Sequence, residues 1–185
     1  MIACLLFTLS LPVVATIQGS AHDFSRLGWS NGESCAVCHT PHNAEFFTDA
    51  PLWDHDISTT TYTLYSSASL GVILEQPGPG NISRLCLSCH DGTIAIDSFG
   101  GNGGQTYISE RASLGTDLSN DHPIGIKWNH RGDRGSYPIG NEVELYDGKV
   151  ECPSCHDVHN NQVADVKLLR SSLAGSRLCF QCHDK

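Results

Sequence analysis

The feature that most constrains this chain is a five-residue pattern that occurs four times. Cys35-Ala-Val-Cys38-His39, Cys86-Leu-Ser-Cys89-His90, Cys152-Pro-Ser-Cys155-His156 and Cys179-Phe-Gln-Cys182-His183 each set two thiols two residues apart and follow them at once with histidine. A Cys-x-x-Cys pair alone would suit half a zinc site or a redox dithiol. The following His separates the readings. With 10 His in 185 residues, four such followers would arise by chance about once in 100,000. Zinc has no need of a His at that place, since a Cys₄ site is complete without one. Disulfides leave it unexplained as well. Two thiols at this spacing can add their S–H across the two vinyl groups of one haem, and the next residue then lies under the iron as proximal ligand. The expectation is four covalently attached haem c groups. Their thioethers are at Cys35, Cys38, Cys86, Cys89, Cys152, Cys155, Cys179 and Cys182, and their proximal ligands are His39, His90, His156 and His183.

That expectation fits a chain otherwise poorly equipped to build a core. The middle is rich in Gly, with 18 in the whole chain, and poor in Leu. The predicted fold is that of a multihaem cytochrome c: mostly coil, with short helices and few short strands, and the haem chain serving as the core. The formal charge of −9 argues against a nucleic-acid partner, because phosphate binding needs an excess of Lys and Arg. Ionised haem propionates would add about one negative charge per oxidised haem, which favours a cationic or metal-ion acceptor.

The first 21 residues differ in kind. Ile2 to Val14 is almost unbroken apolar sequence, and Ala15 to Ala21 is mostly small or polar. The run is too short to span a membrane and long enough for the apolar region of a signal peptide. Gly19-Ser20-Ala21 fits a cleavage site, leaving His22 as the mature N-terminus and removing Cys4. No Lys or Arg precedes Arg26, so the usual positive n-region is absent. The expected organisation is a signal peptide over 1–21 and a tetrahaem domain over 22–185, with no membrane span after processing. Covalent haem attachment outside the cytoplasm agrees with export.

The sixth iron ligand follows by elimination. The single Met is Met1, so no haem here takes a His/Met pair. Six histidines lie outside the motifs: His22, His42, His55, His122, His130 and His159. Six candidates for four irons allow every haem to be bis-His and six-coordinate. A haem enzyme needs an open position on iron, whereas an electron carrier wants both filled. Absence of Met also keeps potentials low. The expectation is electron transfer and no catalysis.

An internal repeat sharpens the reading. Cys35 to Asn43 matches Cys152 to Asn160, with both His and the final Asn in register, and Ser83 to Asp91 matches Ser176 to Asp184. The order A, B, A, B gives two haem-pair units, roughly 22–95 and 120–185. Within each A motif the two His are three residues apart. On a helical turn they would leave from one side, so His42 cannot complete the haem of His39, nor His159 that of His156. Each is expected to reach a different haem. Of the others, His130 looks solvent-exposed and spare, while His22, His55 and His122 stay open as distal candidates. Trp53, beside His55, could cover a haem face. Thr59 to Leu74 reads as a short helix or hairpin, and Glu142 to Val150 as a hairpin with Asp147-Gly148 at its turn. Gln76 to Asn81 and Gly100 to Gly104 read as loops. Short helices are expected after the A motifs and around Asp165 to Leu173.

Several segments together resemble a known family. His22-Asp-Phe-Ser25, Cys35 to Ala44, Pro51-Leu-Trp-Asp-His55, Arg84 to Thr93, Asn120-Asp-His-Pro123 and Cys155 to Asn160 resemble the doubled-CXXCH multihaem cytochromes. Within them the likeness is to the OmcE-like tetrahaem proteins, which polymerise into extracellular filaments. The resemblance implies stacked bis-His haems, sparse secondary structure, and one axial His crossing to a neighbouring copy. That ligand would be His42 here, with His22 as the alternative. The implied partners are copies of the chain itself, plus redox proteins or extracellular acceptors. The alternative is a soluble periplasmic tetrahaem shuttle with all ligands internal. A multihaem reductase, which needs a five-coordinate haem, is a third and weaker reading.

Overall fold

The computed structural model of the chain describes residues 17–128, 140–160 and 168–183. Regular elements are few and short. In chain order they are β1 (Thr63–Leu64), α1 (Ile82–His90), β2 (Asp117–Leu118), β3 (Ile126–Lys127), β4 (Lys149–Val150) and α2 (Cys152–Cys155). Single 3₁₀ turns at Phe24–Leu27, Ala174–Ser176 and Cys179–Gln181 complete the set among the described residues. This is the sparse architecture expected of a small multihaem cytochrome. No helix among the described residues is long and apolar enough to cross a membrane.

α1 organises what surrounds it because it presents four different faces. Asn81 caps its start, with Oδ1 accepting the Ser83 N–H at 2.9 Å and so satisfying one of the free amides of a helix N-terminus. Leu85 and Leu87, two residues apart, point to nearly opposite sides. Leu85 enters a cluster with Phe47 and Ala50, against which Trp53, Ile57 and Ile82 pack. Leu87 enters a second cluster with Tyr62 and Leu118, joined by Leu64 and Ile124. The side opposite the thiols is polar and buried. Arg84 Nη1 donates to the carbonyls of Ser58 (2.6 Å) and Thr60 (3.0 Å), Nε donates to Pro77 O, and the guanidinium lies 5.3 Å from the Tyr62 ring centre. Cys86, Cys89 and His90 occupy the remaining stripe, between the two small cores.

The strand pairs are minimal. β1 pairs in parallel with β2, and β3 pairs antiparallel with β4. Thr59 to Leu74 is therefore neither helix nor local hairpin: β1 finds its partner at residues 117–118, across α1. The turn at Asp147-Gly148 forms as expected, with φ of 51° and 69° and mutual backbone bonds between Tyr146 and Lys149 at 3.0 and 2.9 Å. Beyond the Tyr146–Lys149 bridge that closes the turn, its outgoing strand pairs with 126–127. Among the described residues no helix follows either A motif; helix forms inside the attachment motifs themselves. Residues 1–16 of the expected signal peptide, His130, and the 165–167 part of the expected C-terminal helix lie outside the described residues.

The two A segments share a backbone arrangement that their sequences do not advertise. After the first, Thr40 N bonds Leu52 O (2.8 Å) and Asp54 N bonds Cys38 O (2.9 Å). After the second, Asp157 N bonds Leu168 O (2.6 Å) and Arg170 N bonds Cys155 O (2.8 Å). Leu52 and Leu168, the pivots, both take left-handed conformations, with φ of 62° and 56°. Such a φ is unfavourable for a bulky residue, and it is held twice by the same pair of hydrogen bonds.

Candidate haem-binding site

Each attachment motif is one helical turn. His39 N bonds Cys35 O at 2.9 Å, His156 N bonds Cys152 O at 3.1 Å and His183 N bonds Cys179 O at 2.9 Å, while the second motif lies within α1. On such a turn the residues at i, i+3 and i+4 share a side. Two sulfurs and one imidazole are thus delivered together. For His39 and His90 the ring is aimed as well: Nδ1 lies 2.9 Å from Pro51 O and 2.9 Å from Ala112 O respectively. A hydrogen bond from Nδ1–H to a carbonyl fixes the tautomer and leaves the Nε2 lone pair for a metal.

The histidines outside the motifs divide according to what faces them. His159 lies opposite His39 with ring centres 6.1 Å apart, His22 opposite His90 at 6.0 Å, and His122 opposite His183 at 6.2 Å. Two imidazoles on opposite sides of one metal ion, each bonded at about 2 Å, have ring centres about 6 Å apart. Three of the four proximal His thus face a non-motif His at the span of a bis-His iron. His122 Nδ1 sits 3.1 Å from Pro123 O, the same ring-to-carbonyl contact that His39 and His90 make. His22 is kept neutral: burial first, then the neighbouring imidazoles of His90 and His156, push its pKa down to about 4. Its buried Nδ1 finds no hydrogen-bond partner. His156 also makes a contact beyond those described.

His55 and His42 behave differently. His55 is buried, with Nδ1 2.7 Å from Asp56 O and Nε2 3.1 Å from Ala95 O and 3.4 Å from Cys89 Sγ. It faces no proximal His. Trp53 packs edge-on between the His55 and His39 rings, 6.4 and 6.1 Å from their centres. His42 is exposed, and among the described residues its side chain makes no hydrogen bond, ion pair or ring contact. The helical premise behind separating His39 from His42 does not hold, since both A motifs leave the helical conformation at their proximal His; His156 has φ −111° and ψ 144°. The structure nevertheless sets His159 against the other A motif's proximal ring.

The thiols themselves trace a path. Cys38 and Cys89 lie near enough to feel each other's charge, and Cys155 likewise feels Cys179 and Cys182. Cys86 and Cys152 lie close enough to couple, which raises the first and lowers the second. Burial pushes Cys38 up to about 11 and Cys89 up to about 12, so both are neutral thiols at physiological pH. The attachment segments are therefore neighbours in chain order: first to second, second to third, third to fourth. A surface cleft of about 320 Å³, lined by Asp49, Glu75, Asn81, Lys149 and Glu151 among others, contains none of these Cys or His and is a separate feature.

Residues 146–185, containing the last two motifs, match the family described as Doubled CXXCH motif. The chain carries the signature of a multihaem c-type cytochrome. No curated protein matches it. Each bound haem would supply a one-electron iron couple. The residues fit the group, with paired thiols, proximal imidazoles on the same turn, and second imidazoles at the required span. The site also includes groups that pattern reading missed. The carbonyls of Pro51 and Ala112, and the carboxylate of Glu151 considered below, come from segments distant in sequence, and nothing in their local sequence marks them.

Proposed function

We propose that this cytochrome carries four bis-His haems, one per attachment motif, and moves electrons as the repeating subunit of an extracellular filament. It performs no catalysis of its own, because filled axial positions leave no iron open to a substrate. The observation that carries the reading is a rule within the chain. The second His of the downstream A motif, His159, faces the proximal His of the upstream A motif, His39. Applied once more, the same rule takes the second His of the upstream motif, His42, to the A-type haem of His156 in another copy. His42 is exposed and its ring is unengaged among the described residues, as such a ligand must be before assembly. A contact of this kind is head-to-tail, and head-to-tail contacts that do not close give filaments. The internal junction and the junction between copies would then be two instances of one arrangement. The resemblance to the OmcE-like proteins points the same way.

The test is electron microscopy of haem-stained material sheared from producing cells, for wild type and His42→Ala. Long haem-rich filaments in wild type, lost in the variant while every haem stays covalently attached, support the proposal. Filaments of normal length in the variant overturn the role of His42. Monomer-sized periplasmic particles from both make the protein a soluble shuttle.

A further inference from the structure

Glu151 is a charged side chain in an unexpected place. It precedes Cys152 directly, is 2 % exposed, and sits where α1 meets α2. Asn81 Nδ2 donates to its Oε1 at 2.8 Å and Ser83 Oγ donates to its Oε2. At the start of α2, Glu151 N bonds Ser154 Oγ at 2.9 Å and the Ser154 N–H bonds the Glu151 backbone carbonyl at 2.9 Å.

The direction of these bonds is fixed by their neighbours. The Oδ1 of Asn81 is taken by the Ser83 N–H, so the amide must turn its NH₂ towards Glu151. Ser83 Oγ receives the Cys152 N–H at 2.9 Å, so its own hydrogen is free for the carboxylate. Both side-chain partners turn a donor towards the carboxylate, one to each oxygen. A fixed negative charge therefore stands beside Cys152, whose sulfur lies against Cys86.

Building on the haem-attachment reading above, we infer that Glu151 is a potential-setting residue for the haem on Cys152 and Cys155. Its buried charge stabilises the oxidised iron over the reduced one and lowers that midpoint potential. The haem on Cys86 and Cys89, across the sulfur contact, feels the same charge from further away. Arg170, whose guanidinium lies near Cys155, opposes Glu151 at the first of these haems. Arg84, buried on the far side of α1, opposes it at the second.

The test compares Glu151→Gln with wild type after mass spectrometry has counted the covalent haems in each. A wild type without covalent haem would sink the attachment reading and leave the question of Glu151 moot. With equal counts, potentiometry resolved by haem is expected to show a positive shift at the haem of Cys152 and Cys155, a smaller one at its neighbour, and none at the other two. No shift, or a negative one, overturns the inference. A negative shift is what water entering a loosened clasp would cause. Ser83→Ala keeps the charge and removes one donor, so its potentials stay level with wild type or fall. Should the Gln variant fail to mature, a rise in Ser83→Ala would by itself overturn the charge assignment.

Discussion

His39 and His159 face each other with ring centres 6.1 Å apart, although they belong to the first and third attachment segments. The pairing brings the two halves of the chain together. Around it, Ser83 and Glu151 bond and α1 packs on α2. The haem pairs are not beads on a string. Each half supplies groups that face the other half's attachment motifs.

The facing rings give a direct expectation. His159→Ala should leave the number of covalent haems unchanged and convert one of them, that of Cys35 and Cys38, to a high-spin ferric signal. His22→Ala should do the same to the haem of His90, and His122→Ala to that of His183. Electron paramagnetic resonance of the purified proteins checks this. An entirely low-spin spectrum in any variant would remove that residue from the ligand set.

His55 should behave otherwise. Both its nitrogens rest on backbone carbonyls and no proximal ring faces it. His55→Ala is expected to keep all haems low-spin and to cost about 2 kcal/mol of stability, from a buried carbonyl left without its donor and the lost packing. Denaturant unfolding followed by absorbance separates the two effects.

Arg84 holds three carbonyls that no other group reaches, from Ser58, Thr60 and Pro77. Leaving buried acceptors unpaired costs about 1–3 kcal/mol each. Arg84→Ala should therefore destabilise the fold by about 3–5 kcal/mol, with Arg84→Lys recovering only part of the loss because one ammonium cannot span the same fork. Urea midpoints measure both.

Acid stability should depend on Glu142. Hydrogen bonds from Arg177 and then Ser171 hold its carboxyl at about 2, against an ordinary value of 4.5. Its folded pKa is depressed, so its contribution is complete above pH 4.5 and is lost as pH falls from there towards 2. Arg177→Gln removes the larger cause. The variant should show a shallower fall in stability across that window and little change in pH dependence above it, as read by unfolding midpoints at stepped pH.

The sequence by itself determined the chemistry, because attachment to haem is written in adjacent residues. Cys, two residues, Cys and His make one helical turn wherever they occur, and every such turn among the described residues presents its thiols and imidazole together. The absence of any Met beyond Met1 likewise restricted the axial ligands to His, and the A, B, A, B order was plain. The turn at Asp147-Gly148 was legible for the same reason, since a left-handed pair needs only its own two residues. What the sequence left open was everything that depends on contact between distant segments. It offered His22, His55 and His122 as equals; only the fold turned His22 to His90 and His122 to His183 and sealed His55 among carbonyls. It read Thr59 to Leu74 as self-contained, whereas β1 pairs with residues 117–118. It gave no sign that Leu52 and Leu168 pivot alike, or that Glu151 would be buried against Ser83. Those outcomes rest on which surfaces pack when two short, core-poor halves close on each other, and packing of that kind leaves no periodicity in either partner's sequence.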